Sequence, residues 1–353
     1  MAKKKGKTSF LKKVLIALLI VLLVGGGGTA YLAYRAIYKP NVNLHGKEST
    51  YVYIPSGSNF EDVKRVLYDN GFIVNHVSFE WLAERKNYKR KIKAGKYFIT
   101  SKMSNNELID LLRSGKQEPV NLTFTFARTK KQLAQQIHAQ LEANEEELLD
   151  LLNDESFMSQ YGLNPENSLS LFIPNTYEFY WNTSAKKLIE KMAMEYKKFW
   201  NDARKERAKE IWFTQTQVSV LASIVQQESF IDKEKPIIAG VYINRLNKRM
   251  PLQADPTLIW AVGDFTIKRV TGAYFNIDSP YNTYKNLGLP PGPICLPSVV
   301  SLDAVLNYKK HNYLYFCAKE DFSGYSNYAA TYEAHRKNAR KYQQALNKRK
   351  ITK

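Results

Sequence analysis

Apolar and polar positions along this chain follow three patterns in turn. The first has no alternation at all: from Val14 to Tyr34, "VLIALLIVLLVGGGGTAYLAY" runs 21 residues without a charge. At about 1.5 Å of rise per helical residue that run spans about 30 Å, the thickness of a bilayer's hydrocarbon core. The six lysines in "MAKKKGKTSFLKK" ahead of it predict a basic cytoplasmic tail over 1–13, a transmembrane helix over 14–34, and transfer of the remainder across the membrane. A cleaved signal peptide is the competing reading, because the strongest apolar run is short and "GGGGTA" offers small residues for cleavage. The apolar residues that continue to Arg35 favour a retained anchor. Both readings export the rest of the chain.

After a polar linker over 35–48, strand-like and helix-like periods alternate in short pieces. "TYVYI" reads as a strand, and Ser58 is the expected N-cap of a helix with Phe60, Val63, Val66 and Leu67 on one face and Gly71 at its end. A helix in "VSFEWLAERKN", a strand in "IKAGKYFIT" and a helix in "SNNELIDLLRSGK" follow. Over 49–117 this order resembles a LysM-like module, a peptidoglycan-binding fold. Residues 118–205 continue as an intermediate α+β region. It has a strand in "VNLTFTFA", helices in "TKKQLAQQIHAQL" and "NEEELLDLLND", and an aromatic turn before an amphipathic helix. The tyrosines there and Trp181 suit packing more than sugar contact. The third pattern, over 206–353, has helices in "LASIVQQES" and "KPIIAGVYINRLNK", a long stretch rich in Pro, Gly, Asn and Tyr, and a basic C-terminal helix. The expected fold class is α+β: a single N-terminal transmembrane helix, a LysM-like α+β module and a C-terminal mixed α+β domain.

Charge and rare residues narrow the chemistry. A formal net charge of +19 suits an anionic partner: nucleic acid, acidic lipid or a carboxylate-bearing polymer. Export argues against nucleic acid. Cys295 and Cys317 sit in no CxxC spacing, the five histidines form no HExxH, and GxSxG is absent. No metal, cofactor or serine triad is therefore expected. Whether the two thiols pair is left open by the sequence.

One position breaks the pattern of its own helix. Leu221, Ile224, Val225 and Glu228 follow i, i+3, i+4, i+7 and project from one face. A carboxyl on an apolar face loses solvation, which raises its pKa and suits a general acid. The plainer alternative is that Glu228, in the last turn, swings out to water. Further on, Gln253 and Asp255 sit on a turn stiffened by Pro256. Tyr281, Asn282, Thr283 and Tyr284 precede a run stiffened by Pro290, Pro291, Pro293 and Pro297. Aromatic rings beside amides and hydroxyls suit a sugar face, although an ordered surface loop would read the same way.

"LASIVQQES", "AGVYINRL", "PLQADPT", "SPYNTY" and "GLPPGPI" occur in the order found in the YceG-like family of endolytic murein transglycosylases, which the chain resembles over nearly its whole length. There are departures. No acidic residue is evident before "LFIPNTY", Asn175 stands where aspartate is common, and "YEAHRKNARKY" follows the family's ending loosely. The resemblance implies that Glu228 is catalytic and that Gln253, Asp255, Tyr281, Asn282 and Thr283 fall in substrate-binding motifs of a catalytic domain over 206–353. It implies cleavage of the β-1,4 bond between N-acetylmuramic acid and N-acetylglucosamine in nascent glycan strands, leaving 1,6-anhydro ends. The expected setting is the extracytoplasmic face of the cytoplasmic (inner) membrane. The expected partners are glycan strands, that membrane and peptidoglycan synthases. Two rivals remain: a lysozyme-like hydrolase using Asp255 as a second carboxylate, and a membrane-tethered peptidoglycan-binding protein without turnover.

Overall fold

A computed structural model of the chain describes residues 7–267, 270 and 272–349. The first six residues of the expected basic tail, and 350–353 at the C-terminal end, lie outside the described residues. Helix α1 spans Lys7–Tyr38, so the helix continues through the four glycines and into the segment expected as linker. Its stretch Phe10–Tyr38 is long and apolar enough to cross a membrane, and Phe10 to Val24 present exposed apolar side chains along its length.

The chain divides into two compact units, one taking in everything up to Val120 together with Phe179–Asn182, the other Asn121–Glu178 and Thr183 onward. In the first, β1 (Ser49–Ile54) pairs antiparallel with β2 (Gly95–Thr100), Ser49 opposite Thr100 and Ile54 opposite Gly95. Helices α2 (Phe60–Asp69) and α3 (His76–Arg85) lie between the strands in sequence, and α4 (Asn105–Ser114) follows β2. Alternate residues of the strands, Val52 and Ile54 with Tyr97 and Ile99, face one way. They close a core with Phe60, Val63, Leu67, Phe79, Leu108 and Leu112.

Local signals set most of these boundaries. The cap of α2 is Asn59, one residue beyond the expected Ser58. The Asn59 side chain accepts from the Glu61 and Asp62 amides, and the Asp62 carboxylate accepts from the Asn59 amide. Reciprocal capping needs a spacing of three, which Asn59 and Asp62 have. Ser104 and Glu107 cap α4 in the same way, and Gly115 ends it at φ +73°. The Asn41 amide donates to Asn105 Oδ1 at 2.7 Å and to the Asn75 carbonyl at 3.0 Å, and Asn105 donates to the Ala36 carbonyl at 2.9 Å. These bonds tie the end of α1 to the loops and helices that follow it in this unit.

Strands β3 (Pro119–Phe124) and β4 (Asn175–Tyr180), which lie for most of their length in the second unit, pair with each other. Helices α5 (Lys130–His138), α6 (Glu145–Asn153) and α7 (Glu155–Ser159) lie between them in sequence, and α8 (Ala185–Phe199) and α9 (Asp202–Glu210) follow. Next come α10 (Gln215–Glu228), α11 (Lys235–Asn247), α12 (Asp255–Val262) and α13 (Val299–Leu306). An antiparallel pair, β5 (Tyr315–Ala318) with β6 (Ser326–Ala329), leads into α14 (Tyr332–Lys348). Every residue of α10 from Val218 to Val225 is buried. The sequence suggests an apolar stripe, but α10 is wrapped on several sides, by α9, α11, α12, α13 and the turn Pro165–Leu171.

Side-chain bonds lock the proline-rich stretch onto this helix. Gln226 Oε1 accepts from the Ser298 amide at 2.6 Å and from the Ser301 hydroxyl at 3.1 Å, and Ser223 Oγ accepts from the Ile294 amide at 3.0 Å. Cys295 and Cys317 are both free thiols. At Gly292 the backbone passes so near the Glu166 carbonyl that an added Cβ would lie 1.9 Å from its oxygen. Gly292→Ala should therefore lower stability by about 1–3 kcal/mol or more through overpacking, read as a fall in thermal midpoint. Gly272→Ala, where an added methyl meets nothing within 4 Å, should stay within about 0.5 kcal/mol of the parent.

Candidate active site

Helix α10 starts on a reciprocal cap between Thr214 and Gln217 and ends at Glu228, after which Ser229 is extended, φ −144°. The turn that follows is pinned from outside the helix. Ser229 Oγ donates to Glu234 at 3.2 Å and accepts from the Ile231 amide at 3.1 Å. Glu234 is buried and also accepts from the Ser326 amide and the Tyr328 hydroxyl, each at 2.7 Å. A carboxylate fed by three donors thus ties the residue after Glu228 to β6.

The Glu228 carboxyl is mostly buried and accepts a 2.6 Å hydrogen bond from the Tyr242 hydroxyl on α11. Burial pushes its pKa from the usual 4.5 to about 7; the Tyr242 bond and the Arg245 charge pull against this, and the Asp255 charge adds to it. Near neutral pH the group is therefore divided between acid and carboxylate. Its place at the C-terminal end of a helix, where the dipole disfavours negative charge, works in the same direction as burial.

Arg245 organises the neighbouring turn. It is buried, donates to the carbonyls of Leu314 at 2.7 Å, Leu252 at 2.8 Å and Pro251 at 3.2 Å, and reaches Gln253 Oε1 at 3.4 Å. Gln253 is exposed and adopts φ +50°, a left-handed conformation that costs a residue with a side chain about 1–2 kcal/mol. The Gln253 amide donates to the Thr283 carbonyl, and the Ala254 amide to the Thr283 hydroxyl, each at 3.0 Å. Asp255 then opens α12 with its carboxylate exposed and accepting from the Tyr284 hydroxyl at 2.5 Å.

The predicted residues thus fall into two groups. Gln253 and Asp255 are exposed on the turn beside Glu228, and Tyr281 is half-buried against Trp260, ring centroids 5.1 Å apart. Asn282 and Thr283 are fully inside. Asn282 donates to the Phe275 and Ile277 carbonyls at 3.0 and 2.8 Å, and Thr283 bonds Thr257 at 2.8 Å, so both brace the turn from behind. Sequence reasoning did not single out Tyr242 and Arg245. Their i, i+3 spacing in "AGVYINRL" puts them on one helical face, a polar pair in an apolar motif.

Comparison with known proteins gives the class first. The structure is similar to that of a YceG-like protein from Listeria monocytogenes, with TM-score 0.55 and 29% identity, covering 83% of this chain and 99% of that one. A protein of Bacillus subtilis (strain 168) named endolytic murein transglycosylase is 30% identical over 343 residues, covering 91% of this chain and 92% of its own length. One of Streptococcus pneumoniae (strain D39), named likewise, is 30% identical over 332 residues and 84% of this chain, which spans 59% of that longer relative. The model of the YceG-like family matches residues 52–341, and the chain belongs to that family.

The opposing influences on Glu228 can be separated. Tyr242→Phe should raise its pKa above about 7, and Asp255→Asn should lower it, in a carbon-13 NMR titration of the glutamate side chains. The folded state holds this proton more tightly than the unfolded chain. Stability contributed by Glu228 is therefore present below about 4.5 and lost as pH rises through about 7. Glu228→Gln should flatten that part of the stability profile in denaturant titrations.

Proposed function

We propose that the protein is a membrane-anchored endolytic lytic transglycosylase that cuts the bond between N-acetylmuramic acid and N-acetylglucosamine within peptidoglycan strands. Family membership and the names of the relatives support the reaction class. The observation that carries it to a mechanism is one carboxyl with a pKa of about 7, mostly buried, beside a tyrosine and a second carboxylate. Glu228, protonated, donates to the leaving glycosidic oxygen as the C1–O4 bond breaks. The resulting carboxylate then takes the proton from the muramoyl C6 hydroxyl, whose oxygen bonds to C1. The product is a 1,6-anhydro end, no water is consumed, and the acid is restored. General acid and base act in sequence, so one group serves both.

In this reading Gln253, Asp255 and Tyr281 contact the glycan while Asn282 and Thr283 hold their backbone in place. The unit built on β1, β2 and the helices α2 to α4 is a LysM-like module over 49–117, followed by the intermediate region to 205 and the catalytic domain from 206. Helix α1 anchors the chain with its N-terminus in the cytoplasm, and the domain beyond it works on nascent strands outside the cytoplasmic membrane, where synthases are the natural neighbours. The order β1, α2, α3, β2, α4 and the exposed apolar length of α1 support these assignments.

The test is mass spectrometry of purified glycan strands incubated with the protein. New 1,6-anhydro-muramic ends should appear, and Glu228→Gln should slow their formation by about 10²–10⁴-fold. Because the first step needs the protonated carboxyl, the rate should fall as pH rises through about 7. Reducing ends in place of anhydro ends would instead mean hydrolysis, with Asp255 as the second carboxylate. Tight binding without any new ends would leave a tethered binding protein.

A further inference from the structure

A second feature lies at the far end of α12 from Asp255. A hollow of about 310 Å³, within the size range of small-ligand sites, is lined by Trp260, Tyr281 and Pro293 together with Lys130, Pro165 and Glu166. Trp260 lies five residues along the helix from Asp255, an axial distance of about 7.5 Å, the scale of a neighbouring sugar ring. Tyr281 stands two residues before Thr283, whose hydroxyl holds the Ala254 amide. The hollow and the Glu228 centre therefore share one helix and one turn.

Its lining has two kinds of surface. The Trp260 and Tyr281 rings are tilted by 35°. Phe265 extends the aromatic wall edge-on to Trp260 at 6.4 Å, with the Arg128 guanidinium 4.9 Å above its ring. The Trp260 indole nitrogen donates to the Pro293 carbonyl at 3.3 Å, which fixes the ring. Such faces stack on the apolar side of a sugar. In the same lining the half-buried Lys130 ammonium donates to the Pro165 carbonyl at 3.0 Å and to the Asn153 side-chain oxygen. Both acceptors are neutral, and an ammonium has a third proton to give. Lys130 and Lys131 against Glu166 leave the lining net positive. Burial lowers the Lys130 pKa and the Glu166 charge acts against this, so a carboxylate entering the hollow would relieve a desolvated cation.

We propose that this hollow is a subsite for a muramoyl residue, the sugar face resting on Trp260 and Tyr281 and a carboxylate of its C3 substituent meeting Lys130. The inference rests on the transglycosylase reading and deepens it. In a strand of alternating amino sugars only the muramoyl units carry an acidic substituent, so the subsite would fix which of the two sugars lies there and hence the register of the strand over Glu228. The carboxylate is either that of the lactyl group itself, in a peptide-free strand, or one on an attached peptide stem.

The test is binding by the full-length Glu228→Gln protein in detergent, so that turnover does not enter. The probes are peptide-bearing glycan fragments, the same fragments stripped of peptide, and neutral chitooligosaccharides of equal length. Lys130→Met should weaken binding about five- to tenfold for the carboxylate-bearing probe and leave the chitooligosaccharide unchanged. Loss on the stripped fragments identifies the lactyl carboxylate, and loss confined to the peptide-bearing ones identifies the stem. Trp260→Leu should weaken all three. Glu166→Gln, at an exposed position that folding tolerates, should tighten binding of the acidic probes about two- to threefold and leave the neutral one unchanged. If Glu166→Gln has no effect, or if either charge variant shifts acidic and neutral probes equally, the inference is overturned. Cleavage of the same fragments by the unmodified protein is scored separately. Absence of cleavage there counts against the transglycosylase reading, whatever the binding results are.

Discussion

The site depends on a helix that is buried almost throughout and yet ends in a carboxyl. From Val218 to Val225 every residue of α10 is inside the protein, and the chain leaves the helix only after Glu228. Fully burying each Val, Leu or Ile is worth about 1.5–3 kcal/mol, so Val218, Leu221, Ile224 and Val225 together far outweigh what the carboxyl costs. Moving its pKa from 4.5 to about 7 corresponds to roughly 3 kcal/mol between its two protonation states. Apolar burial wins, and the carboxyl is held where water would not leave it unperturbed.

The surroundings of that helix end are arranged so that little around it can relax. Glu234 draws the Ser229 hydroxyl, the Ser326 amide and the Tyr328 hydroxyl into one cluster, while Gln226 and Ser223 hold the segment around Ile294 to Ser301. On the other side, Arg245 collects the carbonyls of three separate residues, and Thr283 fastens the backbone of Gln253 and Ala254. The left-handed Gln253 is kept in place by these bonds. Backbone strain persists only where the surroundings over-determine it, and here it brings Asp255 to the start of α12 beside Glu228.

What the sequence makes legible follows from how local each cause is. Helices α2 and α4 are readable because their caps and closing glycines lie within a few residues of the pattern they end, and the misplacement of one cap at Ser58 instead of Asn59 is a matter of one residue in a spacing of three. The exception to amphipathicity in α10 is readable as a carboxyl on an apolar face. That the same helix is buried nearly all round is not, because α11, α12 and α13 come from later stretches of chain. Tyr242 and Arg245 are hidden for a related reason: a tyrosine and an arginine in an apolar helix read as packing until the helix opposite is known. Asn282 and Thr283 could be read as polar groups aimed at a ligand, but the hydrogen bonds that engage them run inward to Phe275, Ile277 and Thr257.

These opposing influences matter for the proposed reaction, in which one group gives a proton and then takes one back. A glutamic acid with a pKa well above neutrality would stay protonated but would be a weaker acid toward the leaving oxygen. One near its ordinary value would be ionised before the reaction began. Burial and the Asp255 charge push the Glu228 pKa up, while the Tyr242 hydrogen bond and the Arg245 charge hold it down, and the sum falls at about 7. Brønsted behaviour places the best acid–base compromise near the working pH. On the proposed mechanism Tyr242 and Arg245 therefore limit the effect of burial. Without them the same apolar helix would still hold a carboxyl, protonated over a wider pH range but a weaker acid toward the leaving oxygen.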